Sequence, residues 1–204
     1  MEASRLERHV KALRACEKCP GMHRPAISGG PVESRVMLVG QAPGAREPAL
    51  GKPFAWTAGR KLFQWLEEHC SLSESDFRTR VYIAAVCRCF PGKHPGGHGD
   101  RVPTKNEIAR CRSWLEAEFD LLQPRLIIPV GKLAISQFLQ FDTLREVVGG
   151  EFLLENPAGA TVVPLPHPSG ASTWVHQEPG KTLTSQALHL LGRHPEIQSL
   201  RSFR

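Results

Sequence analysis

Four short apolar runs, set far apart along the chain, constrain its fold more than any other feature. They occupy residues 35–40, 81–86, 125–131 and 161–165. The first three are continuous rather than alternating, which is typical of strands that are covered on both faces. Helical patterns precede and separate the runs, at about 4–15, 57–70, 104–122, 132–140 and 180–193. This alternation predicts an α/β fold, a three-layer αβα sandwich with a central, mostly parallel four-stranded sheet.

Length and composition indicate one domain that spans residues 1–204. Of the 204 residues, 41% are hydrophobic and 23% are charged, as in globular proteins with a substantial core. The chain begins Met-Glu-Ala-Ser-Arg and has no apolar run that would span a bilayer, so we expect a cytoplasmic protein without a membrane segment. The net charge of +6 favours an anionic partner, of which nucleic acid is the commonest.

Cysteines in three distant segments predict a metal site. In a cytoplasmic chain they are expected to stay reduced and to act as metal ligands or core residues. Cys16 and Cys19 form a Cys-x-x-Cys pair, Cys111 lies in a predicted helix, and the third segment offers either Cys87 or Cys89. Spacing alone does not decide between those two. Four thiolates suit zinc and an iron–sulfur cluster equally well.

Loops rich in glycine and proline follow the predicted strands. They are Gly40-Gln-Ala-Pro-Gly44, residues 87–91, Gly131-Lys132 and His167-Pro-Ser-Gly170. In a parallel sheet the ligand site lies beyond the carboxyl ends of the strands, so these loops are expected to converge on one crevice. Residues 92–101 carry several basic side chains among glycines, which predicts a mobile basic loop over that crevice.

The order and spacing of these motifs resemble the uracil-DNA glycosylase superfamily, in particular its iron–sulfur families 4 and 5, over about residues 10–192. Gly40-Gln-Ala-Pro-Gly44 is similar to the family-4 motif Gly-Glu-Ala-Pro-Gly. The motifs that follow are similar in the same order: Gly51-Lys-Pro-Phe54 with Ala58-Gly59, Val81-Tyr-Ile-Ala-Ala-Val86, Glu107-Ile-Ala-Arg-Cys111, Gln123-Pro-Arg-Leu-Ile-Ile-Pro-Val-Gly131 and His167-Pro-Ser169.

The resemblance implies a cofactor and an activity. The cofactor is a [4Fe-4S] cluster, with Zn as the alternative, held by Cys16, Cys19, Cys89 and Cys111. In this register Cys89 takes the ligand place, which leaves Cys87 to core packing. The activity is that of a monofunctional DNA N-glycosylase, which flips out uracil or a related deaminated base and hydrolyses its N-glycosidic bond in base-excision repair.

Two positions depart from the family-4 pattern. Gln41 stands where family 4 has Glu, and Ala85 stands where family 4 has an Asn that reads the uracil edge. The stretch Ala84-Ala85-Val86 is closer to family 5, whose members tolerate a broader set of bases. The chain therefore lies between the two families, and its base preference is left open.

Candidate catalytic and pocket residues follow from the resemblance. His167 is expected to donate to the departing base, and Glu47 to stabilise the sugar cation or to position water. Phe54 is expected to stack on the extruded base. The other expected substrate-binding residues are Gly40, Gln41, Ala42, Gly44, Ala85 and Ser169.

DNA is the expected partner, bound by a monomer. Lys132, Gly170 and Ser172 are expected to contact its phosphates. Trp174 is expected to wedge into the base stack or, alternatively, to pack on the neighbouring helix.

Two other functions fit the same residues. One is a protein that binds abasic or damaged sites with the same pocket and with little or no turnover. A branch of the superfamily forms a covalent adduct through a histidine in the loop before the last cysteine. His94 and His98 lie in that loop here, but the aligned position is Asp100. The other function is a redox or zinc-stabilised nucleotide-binding protein.

Overall fold

A five-stranded sheet forms the centre of the protein in the computed structural model, which describes residues 3–97, 99–155, 159–169 and 173–201. The strands are β1 (Val36–Gly40), β2 (Tyr82–Ala85), β3 (Leu126–Pro129), β4 (Phe152–Leu153) and β5 (Thr161–Val162). Their order is β2-β1-β3-β5-β4, and all neighbouring pairs are parallel except β4 with β5. The predicted α/β class is confirmed, with the two-residue antiparallel strand β4 added to the expected four.

The helices precede, separate and follow these strands. They are α1 (Arg5–Arg14), α2 (Glu47–Leu50), α3 (Thr57–Cys70), α4 (Glu74–Arg80), α5 (Lys105–Leu122), α6 (Lys132–Ile135), α7 (Leu144–Val147), α8 (Gly180–Arg193) and α9 (Pro195–Arg201). The helix predicted over 132–140 ends at Ile135. Beyond it the N–H groups of Gln137 and Phe138 donate to carbonyls three residues back, which tightens the chain into a turn.

The two faces of the sheet bury different residues of the same strand. Val36 and Leu38 of β1 lie in the core cluster covered by α3 and α8, whereas Met37 and Val39 lie in the cluster covered by α1 and α5. Because successive side chains point to opposite faces, a continuous apolar strand buries both. The predicted three layers are therefore present. Among the described helices, none has both the length and the apolar character that crossing a membrane requires.

The sheet topology brings the motif loops to one edge. Gly40 at the end of β1 pairs with Ala85 at the end of β2, and beyond β3 a parallel bridge joins Val130 to Leu165. The segments that follow these four residues therefore start side by side, as expected for the carboxyl edge of a parallel sheet.

Candidate functional site

A cavity of about 630 Å³ opens at the carboxyl edge of the sheet. Its volume is in the range of sites that enclose a small molecule. The predicted catalytic and substrate-binding residues all line it: Gly40, Gln41, Ala42, Gly44, Glu47, Phe54, Ala85, His167 and Ser169. Four segments of the chain, at residues 40–47, 54, 85 and 167–169, thus contribute to one hollow.

Glu47 is the buried acid of this cavity. It begins α2 and is only 9% exposed, and the Ala55 N–H donates to its Oε1 at 3.3 Å. Burial raises the pKa of Glu47 to about 7, against the opposing effects of nearby backbone N–H groups and of Arg78. Near neutral pH this carboxyl group can therefore either accept or release a proton.

Phe54 is held in a backbone conformation that few side chains adopt. Its φ is 52°, in the left-handed region. Arg78 donates from Nη1 and Nη2 to the carbonyls of Pro53 and Phe54, each at 2.9 Å, and so stabilises the turn. The Phe54 ring lies over Gly40, where an added Cβ would come within 2.7 Å of the ring. The absence of a side chain at Gly40 thus leaves room for the Phe54 ring in the cavity wall.

His167 is oriented by the turn that follows it. The Ser169 N–H donates to Nδ1 at 3.2 Å, so in the neutral ring the proton is on Nε2. The surrounding protein solvates the imidazolium less well than water does, which lowers the pKa of His167, although Asp100 opposes this effect. At neutral pH the ring is therefore a neutral donor through Nε2.

Other cavity residues were not predicted as site residues, although Lys93 and Asp100 belong to the basic loop that was expected over the crevice. Arg46, Trp56, Lys93 and Asp100 line the cavity. Asp100 pairs with Lys93 at 2.7 Å across the loop of residues 92–101. This loop folds back on itself, since the Arg101 N–H donates to the Gly92 carbonyl at 2.9 Å. Two sequence signals could have indicated them: Asp100 is an acid in a basic loop, and Trp56 is an aromatic residue two positions after Phe54.

Two of the predicted DNA-contacting residues, Lys132 and Trp174, do not line the cavity. Lys132 is exposed at the start of α6. Trp174 is partly buried against Gly180 of α8, where an added Cβ would come within 2.6 Å of the indole. This is the packing that the alternative expectation for Trp174 describes. Gly170 and Ser172, and also His98, lie outside the described residues.

The cysteines form a second cluster behind the cavity. Cys16, Cys19, Cys89 and Cys111 pack together, with Cys16 half-buried and the others buried. The loop after Cys19 is tied to the Cys89 segment by two backbone hydrogen bonds between residues 23 and 90, at 2.8 and 3.1 Å. The three distant segments therefore converge as predicted. Within the described residues, no group of three Cys, His, Asp or Glu side chains has an arrangement suited to a single metal ion.

Cys87, which was expected to be a core-packing residue, lies in the core cluster that also contains the ligand candidates. It is fully buried, but it lies among the other cysteines because β2 has already ended at Ala85. Its thiol lies close to Cys111 and is the main cause of the lowered pKa of Cys111, about 6. Cys70, by contrast, lies in the core between the sheet and α3, and burial raises its pKa to about 12.

Helix α5 supports the cysteine cluster with one face. The residues of that face follow helical spacing: Glu107, Cys111, Trp114 and Glu118. The Trp114 Nε1–H donates to the Cys16 sulfur at 3.4 Å. Glu118 is fully buried and accepts from Tyr82 at 2.7 Å and from Nη2 of Arg88.

Arg88 is a buried cation with unsatisfied donors next to the cysteines. It is 1% exposed, and among the described residues its Nε and Nη1 are the buried side-chain nitrogens without a hydrogen-bond partner. Its positive charge helps to lower the pKa of Cys111. Buried donors are rarely left unpaired in native proteins, so this guanidinium is suited to an acceptor that the described protein groups do not supply.

The cysteine cluster and the cavity share a wall. Ala42 packs against the cysteine cluster and also lines the cavity. The Cys87 N–H donates to the Gln41 carbonyl at 3.0 Å, and the Val86 N–H donates to the Gly40 carbonyl at 2.9 Å. A group that holds the cysteines in place would therefore also hold the loop Gly40–Gly44 in place.

Comparison with known proteins agrees with this arrangement. The model of the Uracil DNA glycosylase superfamily matches residues 27–191. A Type-4 uracil-DNA glycosylase of Saccharolobus solfataricus is 30% identical over 168 residues, 78% of this chain and 73% of the relative. A Type-5 uracil-DNA glycosylase of Pyrobaculum aerophilum is 33% identical over 172 residues, 78% of this chain and 72% of the relative. The chain belongs to the uracil-DNA glycosylase superfamily.

Proposed function

We propose that this protein removes uracil, or a related deaminated base, from DNA by hydrolysing the N-glycosidic bond. The observation that carries the proposal is the presence of His167 and Glu47 on one cavity whose wall contains the Phe54 ring. A base extruded from the duplex needs such a pocket, with a stacking surface and fixed polar groups. The names of the relatives support the same reaction.

The two polar residues match the charges that develop as the bond breaks. The electron pair of the C1′–N bond leaves with the base, and the neutral Nε2–H of His167 donates to the base oxygen on which negative charge accumulates. Positive charge develops on the sugar, which the Glu47 carboxylate stabilises. Water then adds to C1′, and its proton passes to Glu47, whose pKa near 7 suits it to accept that proton.

The pocket wall suits more than one base. Ala85 offers only a methyl group where family 4 has an Asn, so it neither donates to nor accepts from a base edge. Gln41 has an amide that can do both and can turn to match different edges. We therefore infer uracil as a substrate and include hypoxanthine among the bases to be tested.

Replacement of His167 tests the role of its Nε2–H. Loss of one donor to a developing oxyanion typically lowers the rate by 10²–10³-fold, so we expect His167→Ala to slow single-turnover release of uracil by about that factor. DNA affinity should change little, because the donor acts mainly in the transition state. Ser136→Ala, an exposed change outside the cavity, is the matched control. An unchanged rate in His167→Ala would remove this assignment.

The cysteine cluster fits a [4Fe-4S] group, for which the ligands would be Cys16, Cys19, Cys89 and Cys111. A cubane cluster takes four thiolates on four different irons, which spaces the sulfurs more widely than a single zinc ion does. The unpaired donors of Arg88 fit a group that carries sulfide and thiolate acceptors and net negative charge. When bound, such a group would cross-link the N-terminal loop, the Cys89 segment and α5 behind the cavity wall.

Replacement of Arg88 tests whether its free donors serve that group. Arg88→Lys keeps the positive charge toward Glu118 but lacks the forked N–H donors. We expect faster bleaching of the visible absorbance in air and a more negative reduction potential, because hydrogen bonds to the sulfurs stabilise the reduced cluster. Arg112→Lys, at an exposed arginine of α5 that pairs with a glutamate, is the control. If bleaching and potential both match the unmodified protein, Arg88 has no such role.

A further inference from the structure

Trp56 is an exposed aromatic residue at the rim of the cavity. Its surface is 50% exposed, although it also lines the hollow that contains Glu47 and Phe54. An indole has a large apolar body, so a half-exposed indole beside a cavity offers contact area to a ligand that enters there. Trp56 is therefore placed to contact a partner that reaches the cavity from outside.

Two arginines flank this indole. The guanidinium carbons of Arg46 and Arg60 lie 5.5 and 5.9 Å from the ring centroid, near the outer limit of a cation–π contact. Within the described part of the chain, neither arginine forms an ion pair. An aromatic surface between two uncompensated positive charges matches a ligand that has a flat ring and neighbouring negative groups.

The backbone holds Trp56 in a fixed position. The Ala55 N–H is bonded to Glu47, the Phe54 carbonyl is bonded to Arg78, and the Trp56 carbonyl accepts from the Arg60 N–H at 3.0 Å in the first turn of α3. Phe54 therefore faces the cavity while Trp56, two residues later, faces its rim. A platform that is fixed in advance binds with little loss of conformational entropy.

We propose that Trp56 stacks on the base of the nucleotide next to the extruded one, while Arg46 and Arg60 contact the phosphates on either side of it. This inference rests on the proposed function, since it takes the cavity to be the pocket for the extruded base. Nucleic acid supplies the required chemistry, because every base has a stacking face and every nucleotide a phosphate. A protein partner would have to supply an aromatic and two acidic groups at the same spacing.

The test uses a single-stranded oligonucleotide with 2-aminopurine one position from a 2′-fluoro-2′-deoxyuridine, whose glycosidic bond resists hydrolysis. Stacking on Trp56 should quench the 2-aminopurine fluorescence, and Trp56→Ala should abolish that quenching and raise Kd about 5- to 100-fold. Trp56→Phe should be intermediate. Arg46→Gln and Arg60→Gln should each reduce the slope of log Kd against log salt by about 0.7.

Leu153→Ala is the matched control, because Leu153 is the most exposed large apolar residue of the described chain and does not line the cavity. If Trp56→Ala and the unmodified protein show equal quenching and equal Kd, the stacking role of Trp56 is wrong. The proposed base release would not be affected by that result. The protein could instead release no base from a cleavable uracil oligonucleotide while Trp56→Ala still weakens DNA binding. That result would contradict the proposed function but not the stacking role of Trp56.

Discussion

Glu47→Gln should lower the single-turnover rate of uracil release by 10²- to 10⁴-fold, the range expected when a general acid–base group is lost. The amide retains the size of Glu47 and can still accept from the Ala55 N–H, but it can neither carry the negative charge nor take up the proton of water. In the unmodified enzyme kcat/KM should rise with pH through about 7, where the carboxylate forms. Glu47→Gln should lack that rise.

The same substitution should not destabilise the fold at high pH. The pKa of Glu47 is raised from 4.5 to about 7, so the folded state binds a proton more tightly than the unfolded state. The free energy of unfolding of the protein therefore falls as pH rises from 4.5 to about 7, by an amount on the order of 3 kcal/mol. Glu47→Gln removes this cost, so its Tm at pH 8 should be equal or higher. A lower Tm with unchanged activity would show that Glu47 is structural.

Cys111→Ala should give protein that lacks bound iron and visible absorbance and that has lost base release. Cys111 packs in the cluster that also contains Cys87 and Cys19, and both lower its pKa. Three ligands hold a cluster poorly, and without it the N-terminal loop and α5 lose the cross-link that the cluster provides. Iron content, the absorbance spectrum and Tm of anaerobically purified protein measure these losses.

Matched cysteine variants separate ligands from neighbours. Cys70→Ala removes an equally buried thiol from the sheet core and should keep the iron, although it costs some stability. Cys89→Ala should lose the iron and Cys87→Ala should retain it. Iron loss in Cys87→Ala but not in Cys89→Ala would reverse the ligand assignment. Zinc in place of iron in the unmodified protein would contradict the cluster itself.

Sequence patterns predicted the parts of the fold that have long periodicity. Helices α3, α5 and α8 each contain 14 or more residues and were found at the expected positions. Helices α2 and α7 have four residues each, too few to show a helical period. Strand β4 has two residues and is not buried, so no apolar run marks it.

The site was predictable where a motif marks it and not where tertiary contacts create it. Gly40, Glu47 and His167 lie in motif loops that parallel strands bring to one edge. Arg88 lies between two cysteines, and its burial depends on Glu118, a partner 30 residues away. Trp56 belongs to no motif, and its exposure depends on the rim that the folded loops form.

The measurement that tests the central claim most directly is single-turnover base release. Oligonucleotides that contain one uracil, one hypoxanthine or no lesion would be incubated with excess cluster-loaded protein, and the abasic product would be detected by alkaline strand cleavage. We expect cleavage at uracil, cleavage slowed at least about 100-fold in Glu47→Gln and His167→Ala, and none in undamaged DNA. No cleavage at either lesion, from protein with a full iron content, would contradict the proposed activity.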